Sequence, residues 1–105
     1  SELPASDKTE DARVRGCSSS VWLHSDRRDG RVFFRADSDA LLVRGLIALL
    51  LETYSGHTPG EILAAPPAFV EELGLNQHLS PNRANGLAAM VQQIMAHAAA
   101  ARAQA

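Results

Sequence analysis

Hydrophobic and polar residues alternate over two short runs, residues 21–25 and 31–36, which predicts two strands. The turn sequence Arg28-Asp29-Gly30 lies between them, and Asp-Gly in that position is a strong sign of a β-hairpin. Because side chains alternate between the faces of a strand, the second run should bury one face, which consists of Val32, Phe34 and Ala36. Residues 12–15 are a candidate for a further short strand.

A helical pattern begins after residue 37, where Ser38 and Asp39 precede a long apolar stretch. We expect Ser38 to cap the first turn, Asp39 to complement the positive end of the helix dipole, and the helix to run to about Tyr54. Leucine, isoleucine and valine fill most of its positions. The polar face is narrow and consists of Arg44, Ala48 and Glu52. This should therefore be the most buried helix.

Proline marks three further helix starts. Thr58-Pro59-Gly60-Glu61 forms a capping box and predicts a short helix. A second helix is expected over residues 66–74, and Ser80-Pro81 should begin the last one, whose apolar residues recur with a 3.6-residue period through Ala98. We expect residues 99–105 to fray and residues 1–11 to form a polar, loosely ordered lead-in. Strands followed by helices predict a single α+β domain over residues 1–105.

Composition narrows the classes of function. The chain has 105 residues, 46% of them apolar, and a net charge of −2, which gives no sign of a nucleic-acid or membrane partner. The apolar stretches fall short of a transmembrane span of about 20 residues, and the N-terminus has no signal-peptide core. A single cysteine cannot form an internal disulfide and fits a reducing compartment. We therefore expect a cytoplasmic protein.

The only cysteine, Cys17, follows Gly16 and precedes three serines, a run of small residues that is typical of a loop. A lone cysteine is often a small buried hydrophobe, but this run has no apolar pattern that would bury it. Arg13 and Arg15 lie close in sequence, and a guanidinium group that pointed at the sulfur would favour the nucleophilic thiolate. The local sequence thus predicts an exposed thiol that could be activated.

The residues around this cysteine resemble a known family. Residues 14–23, Val-Arg-Gly-Cys-Ser-Ser-Ser-Val-Trp-Leu, are similar to the cysteine loop of the SufE family, G-C-x-S-x-V-W. The likeness continues in order through about residue 95. Its further parts are Ala36-Asp37-Ser38-Asp39, Val43-Arg44-Gly45-Leu46, Tyr54 through Thr58-Pro59, Leu75, His78-Leu79-Ser80-Pro81, Arg83 and Gly86-Leu87. Four motifs in one order are much more specific than the cysteine motif alone.

The resemblance implies a fold and a chemistry. SufE-like proteins share an α+β fold with the IscU/NifU scaffolds, a small antiparallel sheet packed against helices. Family members usually have an additional N-terminal helix, and we expect this fold to lack it. They accept sulfur from the persulfide of a PLP-dependent cysteine desulfurase, which they stimulate, and pass it to an iron–sulfur scaffold protein. The resemblance implies an accessory protein without a cofactor or metal of its own rather than a stand-alone enzyme.

The resemblance also implies roles for single residues. Cys17 would be the acceptor nucleophile. The partner-binding loop would consist of Arg15, Gly16, Ser18, Ser19 and Ser20. Asp39 and Arg83 resemble family residues near this loop, although each has a simpler interpretation: Asp39 as a partner of the helix dipole, and Arg83 as a solvated residue of a first helical turn.

Other hypotheses remain open at this stage. The chain could dock on a desulfurase or a related enzyme and regulate it without carrying sulfur, or its cysteine could be a redox switch. A cysteine hydrolase would need a histidine base and an orienting carboxylate, and no spacing among the four histidines indicates one. A cluster scaffold would need about three cysteine or equivalent ligands, and only one cysteine is present.

Overall fold

The computed structural model describes residues 3–17, 19–65, 67 and 79–103 of the chain. Two short 3₁₀ turns precede a β-hairpin, and helices follow it. The turns are Ala5–Asp7 and Glu10–Ala12, the strands are β1 (Val21–Arg28) and β2 (Arg31–Ser38), and the helices are α1 (Leu41–Tyr54), α2 (Pro59–Ala64) and α3 (Pro81–Ala103). The two strands form an antiparallel sheet against helices, so the predicted α+β class is confirmed.

The hairpin is longer than the alternation predicted, because β1 continues to Arg28 and β2 continues to Ser38. Asp29 and Gly30 both have positive φ, 55° and 76°, as a two-residue turn between twisted strands requires. The expected inner face of β2 is confirmed, since its three apolar residues are buried. These are Val32, Phe34 and Ala36.

The candidate strand at residues 12–15 does not form. Glu10–Ala12 is a 3₁₀ turn, and Arg13 makes only an isolated bridge to Trp22. One further bond, from Val14 N to Val21 O at 2.8 Å, continues this pairing before the chain turns away. The pairing stops there because the next residues form the loop that carries the cysteine.

The described part of the polar lead-in, residues 3–11, contacts the buried carboxylate of Asp37. Asp37 is 2% exposed, accepts a hydrogen bond from Leu3 N at 3.1 Å and forms an ion pair with Lys8 at 3.5 Å. A second ion pair joins Asp7 to Arg35 at 3.0 Å. A buried carboxylate needs such donors, so the polar residues of the lead-in have a structural function.

Helix α1 differs from the prediction in its start and its burial. It begins at Leu41, and Ala40 stands at the N-cap without a side-chain bond, so the expected capping role of Ser38 is wrong. Ser38 is instead the last residue of β2. Leu41 is 83% exposed and Leu42 is 53% exposed, which means that the first turn of α1 is more solvated than its composition suggested.

The last two described helices largely follow their sequence signals. In the capping box, Glu61 N donates to Thr58 Oγ1 at 3.2 Å and Thr58 N donates to Glu61 Oε1 at 2.9 Å, as predicted. Helix α3 extends through Ala103, and Ala101 is buried, so the helix includes part of the segment after Ala98 in which we expect fraying. The helix expected over residues 66–74 lies outside the described residues.

The core lies where α1 and α3 meet the inner face of the hairpin. Its largest fully buried apolar side chains are Val21, Val32, Leu50, Tyr54, Ile62 and Ile94. No helix in the described part of the chain has both the length and the apolar character needed to span a bilayer. The open end of the hairpin, where β1 begins and β2 ends, positions the cysteine loop against the first turns of α3.

Candidate functional site

Cys17 lies on a loop, described for residues 15–17 and 19–20, whose two ends are held by backbone bonds. At its start the bond between Val14 and Val21 closes the loop onto β1. Gly16 has a φ of +90°, and a Cβ atom there would lie 3.2 Å from Cβ of Ala89 on α3. Both the positive φ and the close packing favour glycine over other residues. The chain can therefore turn sharply before the cysteine.

Ser20, at the other end of the loop, is held by the junction between β2 and α1. Its amide donates to Asp39 Oδ1 at 3.2 Å, and its carbonyl accepts from Asp39 N at 3.3 Å. The same carbonyl accepts a shorter bond, 2.7 Å, from the hydroxyl of Ser38. Asp39 thus holds the end of the cysteine loop. An interaction with the helix dipole alone would not require these bonds to Ser20.

The sulfur of Cys17 lies over a small apolar pocket between the loop, α1 and α3. The thiol is half-buried and donates to the carbonyl oxygen of Gly86 at 3.5 Å. The pocket has a volume of about 20 Å³, room for one water-sized group. The side chains and backbone that line it belong to Cys17, Ser19, Val21, Val43, Leu46, Asn82, Arg83, Gly86, Leu87 and Met90.

The thiol is not activated in this conformation. Burial raises the pKa of Cys17 above that of an ordinary cysteine, because the pocket disfavours the charged thiolate. The two arginines that could have lowered it pair with Glu10 instead, Arg13 at 3.8 Å and Arg15 at 3.3 Å. The expected arginine-assisted thiolate is therefore absent from the closed loop, which holds a protonated thiol at neutral pH.

The structure brings most of the predicted site residues together. Ser19 and Arg83 line the pocket beside Cys17, while Asp39 holds the end of the loop. Arg15 is exposed and directed to Glu10. The expected loop residue Ser18 lies outside the described residues.

Two contact residues of the site were not assigned to it from the sequence. Gly86 lies in the interior of α3, where glycine is less favourable than alanine by about 1 kcal/mol. A glycine at such a position was the one sequence feature that could have indicated a close contact there. Ser38 was interpreted as a helix cap, and its bond to Ser20 could not be inferred from its neighbours. Among the described residues, no three histidine, cysteine or acidic side chains lie close enough together to hold a metal ion.

Comparisons with known proteins point to one family. The family model for SufE, described as an Fe–S metabolism associated domain, matches residues 1–98. An uncharacterized SufE-like protein of Synechocystis is 49% identical over 74 residues, and another from Rhizobium meliloti is 39% identical over 102 residues. SufE-like protein 1 of Arabidopsis thaliana, named chloroplastic/mitochondrial, is 45% identical over 86 residues.

These relatives differ in how much of them the chain spans. The matches cover 70%, 92% and 81% of this chain, but 46% of the Synechocystis protein, 73% of the Rhizobium protein and 23% of the Arabidopsis protein. The solution structure of a hypothetical protein from Thermus thermophilus has a TM-score of 0.78 and 28% sequence identity, and the match covers 98% of this chain and 76% of that one. The fold is therefore shared with a solved structure over nearly the whole chain.

Proposed function

Because the chain belongs to the SufE family, we propose that Cys17 accepts a sulfur atom from the persulfide of a PLP-dependent cysteine desulfurase and relays it to an iron–sulfur scaffold protein. The observation that carries the proposal is the position of Cys17: the only cysteine lies on a loop held at both ends, with its sulfur over a pocket of one water-sized group. A family match and a suitably placed thiol support the same chemistry.

The transfer balances as thiol–persulfide exchange. The Cys17 thiolate attacks the outer sulfur of the donor persulfide, a bond forms between the two sulfurs, and the bond to the donor cysteine breaks. The donor cysteine leaves as a thiolate and takes up a proton, while Cys17 has lost one. Attack on the outer sulfur leaves the persulfide on Cys17 and needs no further oxidant, reductant or metal.

This chemistry requires the loop to open. A protonated thiol that donates to Gly86 is a poor nucleophile, so Cys17 must leave the pocket and lose its proton at the partner. Gly16 allows the turn at one end of the loop, and Asp39 holds the other end through Ser20. Removal of the sulfur by the acceptor would regenerate the desulfurase, which accounts for a stimulating effect.

The partner surface would surround the loop. Arg15, whose side chain is 77% exposed, and Arg83, which lines the pocket, would pair with acidic groups of a docked protein. Ser19, which lines the pocket, would be part of the same surface. We assign the chain as an accessory protein rather than a stand-alone enzyme, and place it in the cytoplasm, where thiols stay reduced.

The test is sulfur loading followed by mass spectrometry. Incubation with a cysteine desulfurase, PLP and cysteine should add the mass of one sulfur atom to the chain, and the peptide that contains Cys17 should carry it. Cys17→Ser should fold, bind the desulfurase and gain no sulfur. A wild-type chain that never gains sulfur, or a serine variant that gains as much, would refute the assignment.

The same variant separates this function from the regulatory docking module. If Cys17→Ser stimulates the desulfurase as fully as the wild type, docking alone explains the effect and sulfur carriage does not. If stimulation is lost while binding persists, the acceptor role accounts for it. The control is a binding measurement on both proteins at equal concentration.

A further inference from the structure

The edge of β1 that faces away from β2 is unpaired near the turn. In an antiparallel hairpin, the backbone groups of alternate residues point to the partner strand and those of the residues between them point outward. Val21 O accepts from Val14 N across the outer edge, so by this alternation the backbone groups of Ser25 and Arg27 also point outward. Neither makes a backbone hydrogen bond across that edge to a described residue. The turn end of β1 is therefore an open strand edge.

Two arginines at this edge have no acidic partner among the described residues. Arg27 and Arg28 are exposed and form no ion pair there, and the neighbouring Asp26 pairs with Arg35 at 3.5 Å instead. The guanidinium carbon of Arg28 lies 4.2 Å from the centre of the Phe33 ring, so a cation–π contact orients it. Other arginines do form ion pairs within the chain; these are Arg13, Arg15, Arg31, Arg35 and Arg44. The edge thus presents two cations that are available to a partner.

The turn end of the hairpin carries this positive charge at a cost to its own stability. Arg28 and Arg31 lie directly opposite each other in the register, and like charges in such a cross-strand pair are destabilising. Arg31 is directed to Glu61, at 4.0 Å, and Asp29 in the turn forms no ion pair with either arginine. An acidic residue at position 28 would suit the hairpin by itself better, so the arginine there indicates a partner that brings negative charge.

We propose that the open edge of β1, residues 25–28, binds an extended acidic segment of a protein partner, which adds to the hairpin as a third strand. The backbone of that segment pairs with the outward groups of Ser25 and Arg27, and its carboxylates pair with the guanidinium groups of Arg27 and Arg28. A polypeptide fits this edge better than a nucleic acid or a lipid surface, because a polypeptide supplies N–H and C=O groups at the spacing of a strand. A second copy of this chain fits less well, since pairing β1 with β1 would bring the arginines of both copies together.

This surface is separate from the cysteine loop and goes beyond the proposed sulfur transfer. The loop lies where β1 begins, and the two arginines lie at its other end. Because β1 has eight residues and a strand rises about 3.3 Å per residue, the two ends are about 25 Å apart. A partner bound along residues 25–28 leaves the pocket beside Cys17 uncovered, so the chain can hold a second protein at the same time.

The experiment titrates the isolated chain into a fluorescein-labelled peptide of six residues, in which valine and glutamate alternate, and follows fluorescence anisotropy. The wild type should give a saturable increase. Arg27→Gln and Arg28→Gln should each weaken binding about fivefold, the most that an exposed ion pair usually contributes. Arg13→Gln is the matched control, because it removes a positive charge beside the end of β1 that is already paired, and it should bind the peptide as the wild type does.

Two further probes separate strand addition from simple attraction between charges. The same peptide with N-methylated amides cannot donate hydrogen bonds to a strand edge and should bind about tenfold more weakly. An oligonucleotide of ten thymidines should not displace the unmodified peptide. Equal binding of the N-methylated peptide, displacement by the oligonucleotide, or wild-type affinity in both arginine variants would overturn the proposal. Dimerisation of the chain that Arg27→Gln strengthens would assign the edge to a second copy and would overturn it as well.

Hydrogen exchange in the wild type tests the same edge without any variant. In the free chain the amides of Ser25 and Arg27 should exchange faster than those of Asp26 and Arg28, which point to β2. The valine–glutamate peptide should slow exchange at Ser25 and Arg27 about tenfold and leave the other two amides unchanged. No slowing, or equal slowing at all four amides, would refute strand addition. Failure of sulfur loading onto Cys17 would refute the proposed function and leave these results unchanged.

Discussion

The sulfur of Cys17 lies 3.5 Å from the carbonyl oxygen of Gly86, a residue 69 positions later in the chain. A Cβ atom on residue 86 would lie 3.6 Å from that sulfur, which is an ordinary van der Waals distance. The space beside Gly86 therefore has room for a Cβ atom, but a larger side chain would meet the sulfur of Cys17. This relationship allows a graded test of how the loop is held.

Gly86→Ala should stabilise the protein, because alanine is favoured over glycine inside a helix by about 1 kcal/mol and its Cβ fits the space. Gly86→Val should instead push the sulfur of Cys17 out of the pocket, since its methyl groups reach further than Cβ. Thermal unfolding and iodoacetamide alkylation measure the two effects. A valine variant with the wild-type alkylation rate would contradict the observed packing.

Alkylation of Cys17 should require a higher pH than that of an ordinary cysteine. Burial raises the pKa of the thiol in the folded state, so half-maximal reactivity should lie above about pH 8.5. The folded state favours the protonated thiol of Cys17, so protonation of this group stabilises the fold. This stabilisation is complete below about pH 8.5 and is lost as the pH rises through the pKa of the folded state. In protein unfolded in urea, alkylation of Cys17 should show the pH profile of an ordinary cysteine. Identical pH profiles for the folded and the unfolded protein would contradict the burial of the thiol.

His97 should make the protein less stable at mildly acidic pH. Burial, and to a lesser degree the charge of His24, lowers the pKa of His97, whose Nδ1 is hydrogen-bonded to Ser25 Oγ at 2.5 Å. The folded state favours the neutral ring of His97, and the neutral ring therefore stabilises the fold. This stabilisation is present above about pH 6.5 and is lost as the pH falls through the pKa of the folded state. Melting temperatures between pH 7.5 and 5 measure the loss.

His97→Asn is the matched variant for that prediction, because it retains a polar group near Ser25 but does not titrate. Its melting temperature should change less with pH over the same interval than that of the wild type. An unchanged pH dependence in the variant would assign the acid sensitivity to other groups.

Asp37→Asn should destabilise the protein and release the lead-in. Burial by itself raises the pKa of Asp37, but hydrogen bonds from Leu3 N and Ser38 N and the charges of Arg44 and Lys8 outweigh it, so the pKa is lowered. The carboxylate therefore stabilises the fold above its ordinary pKa of about 3.9, and this stabilisation is lost as the pH falls through the lowered value.

We expect Asp37→Asn to lower the free energy of unfolding by about 1–3 kcal/mol, the range for hydrogen bonds to charged groups and for groups left unpaired. Limited proteolysis should then cut within residues 3–12 sooner than in the wild type. Asp26→Asn is the control, since Asp26 is an exposed strand residue that pairs with Arg35 at 3.5 Å. Equal effects of both substitutions would show that Asp37 does not hold the lead-in.

Much of the local structure could be predicted because its cause is local. The Asp29-Gly30 turn needs positive φ at both residues, and the capping box of Thr58 and Glu61 closes within one helical turn, so short stretches of sequence specify them. The alternation in β2 and the helical period of α3 likewise follow from the geometry of one element. The cysteine motif belongs here too, since its residues are contiguous.

The sequence by itself thus determined the hairpin, the starts of α2 and α3, the α+β class and the identity of the one candidate nucleophile. Only the tertiary structure decided that Ser38 binds Ser20 rather than capping α1, that Leu41 is exposed, and that Cys17 rests protonated against Gly86. The reason is physical: turns and periods depend on neighbouring residues, whereas a pKa, a solvated face or a closed loop depends on which distant groups the fold brings into contact.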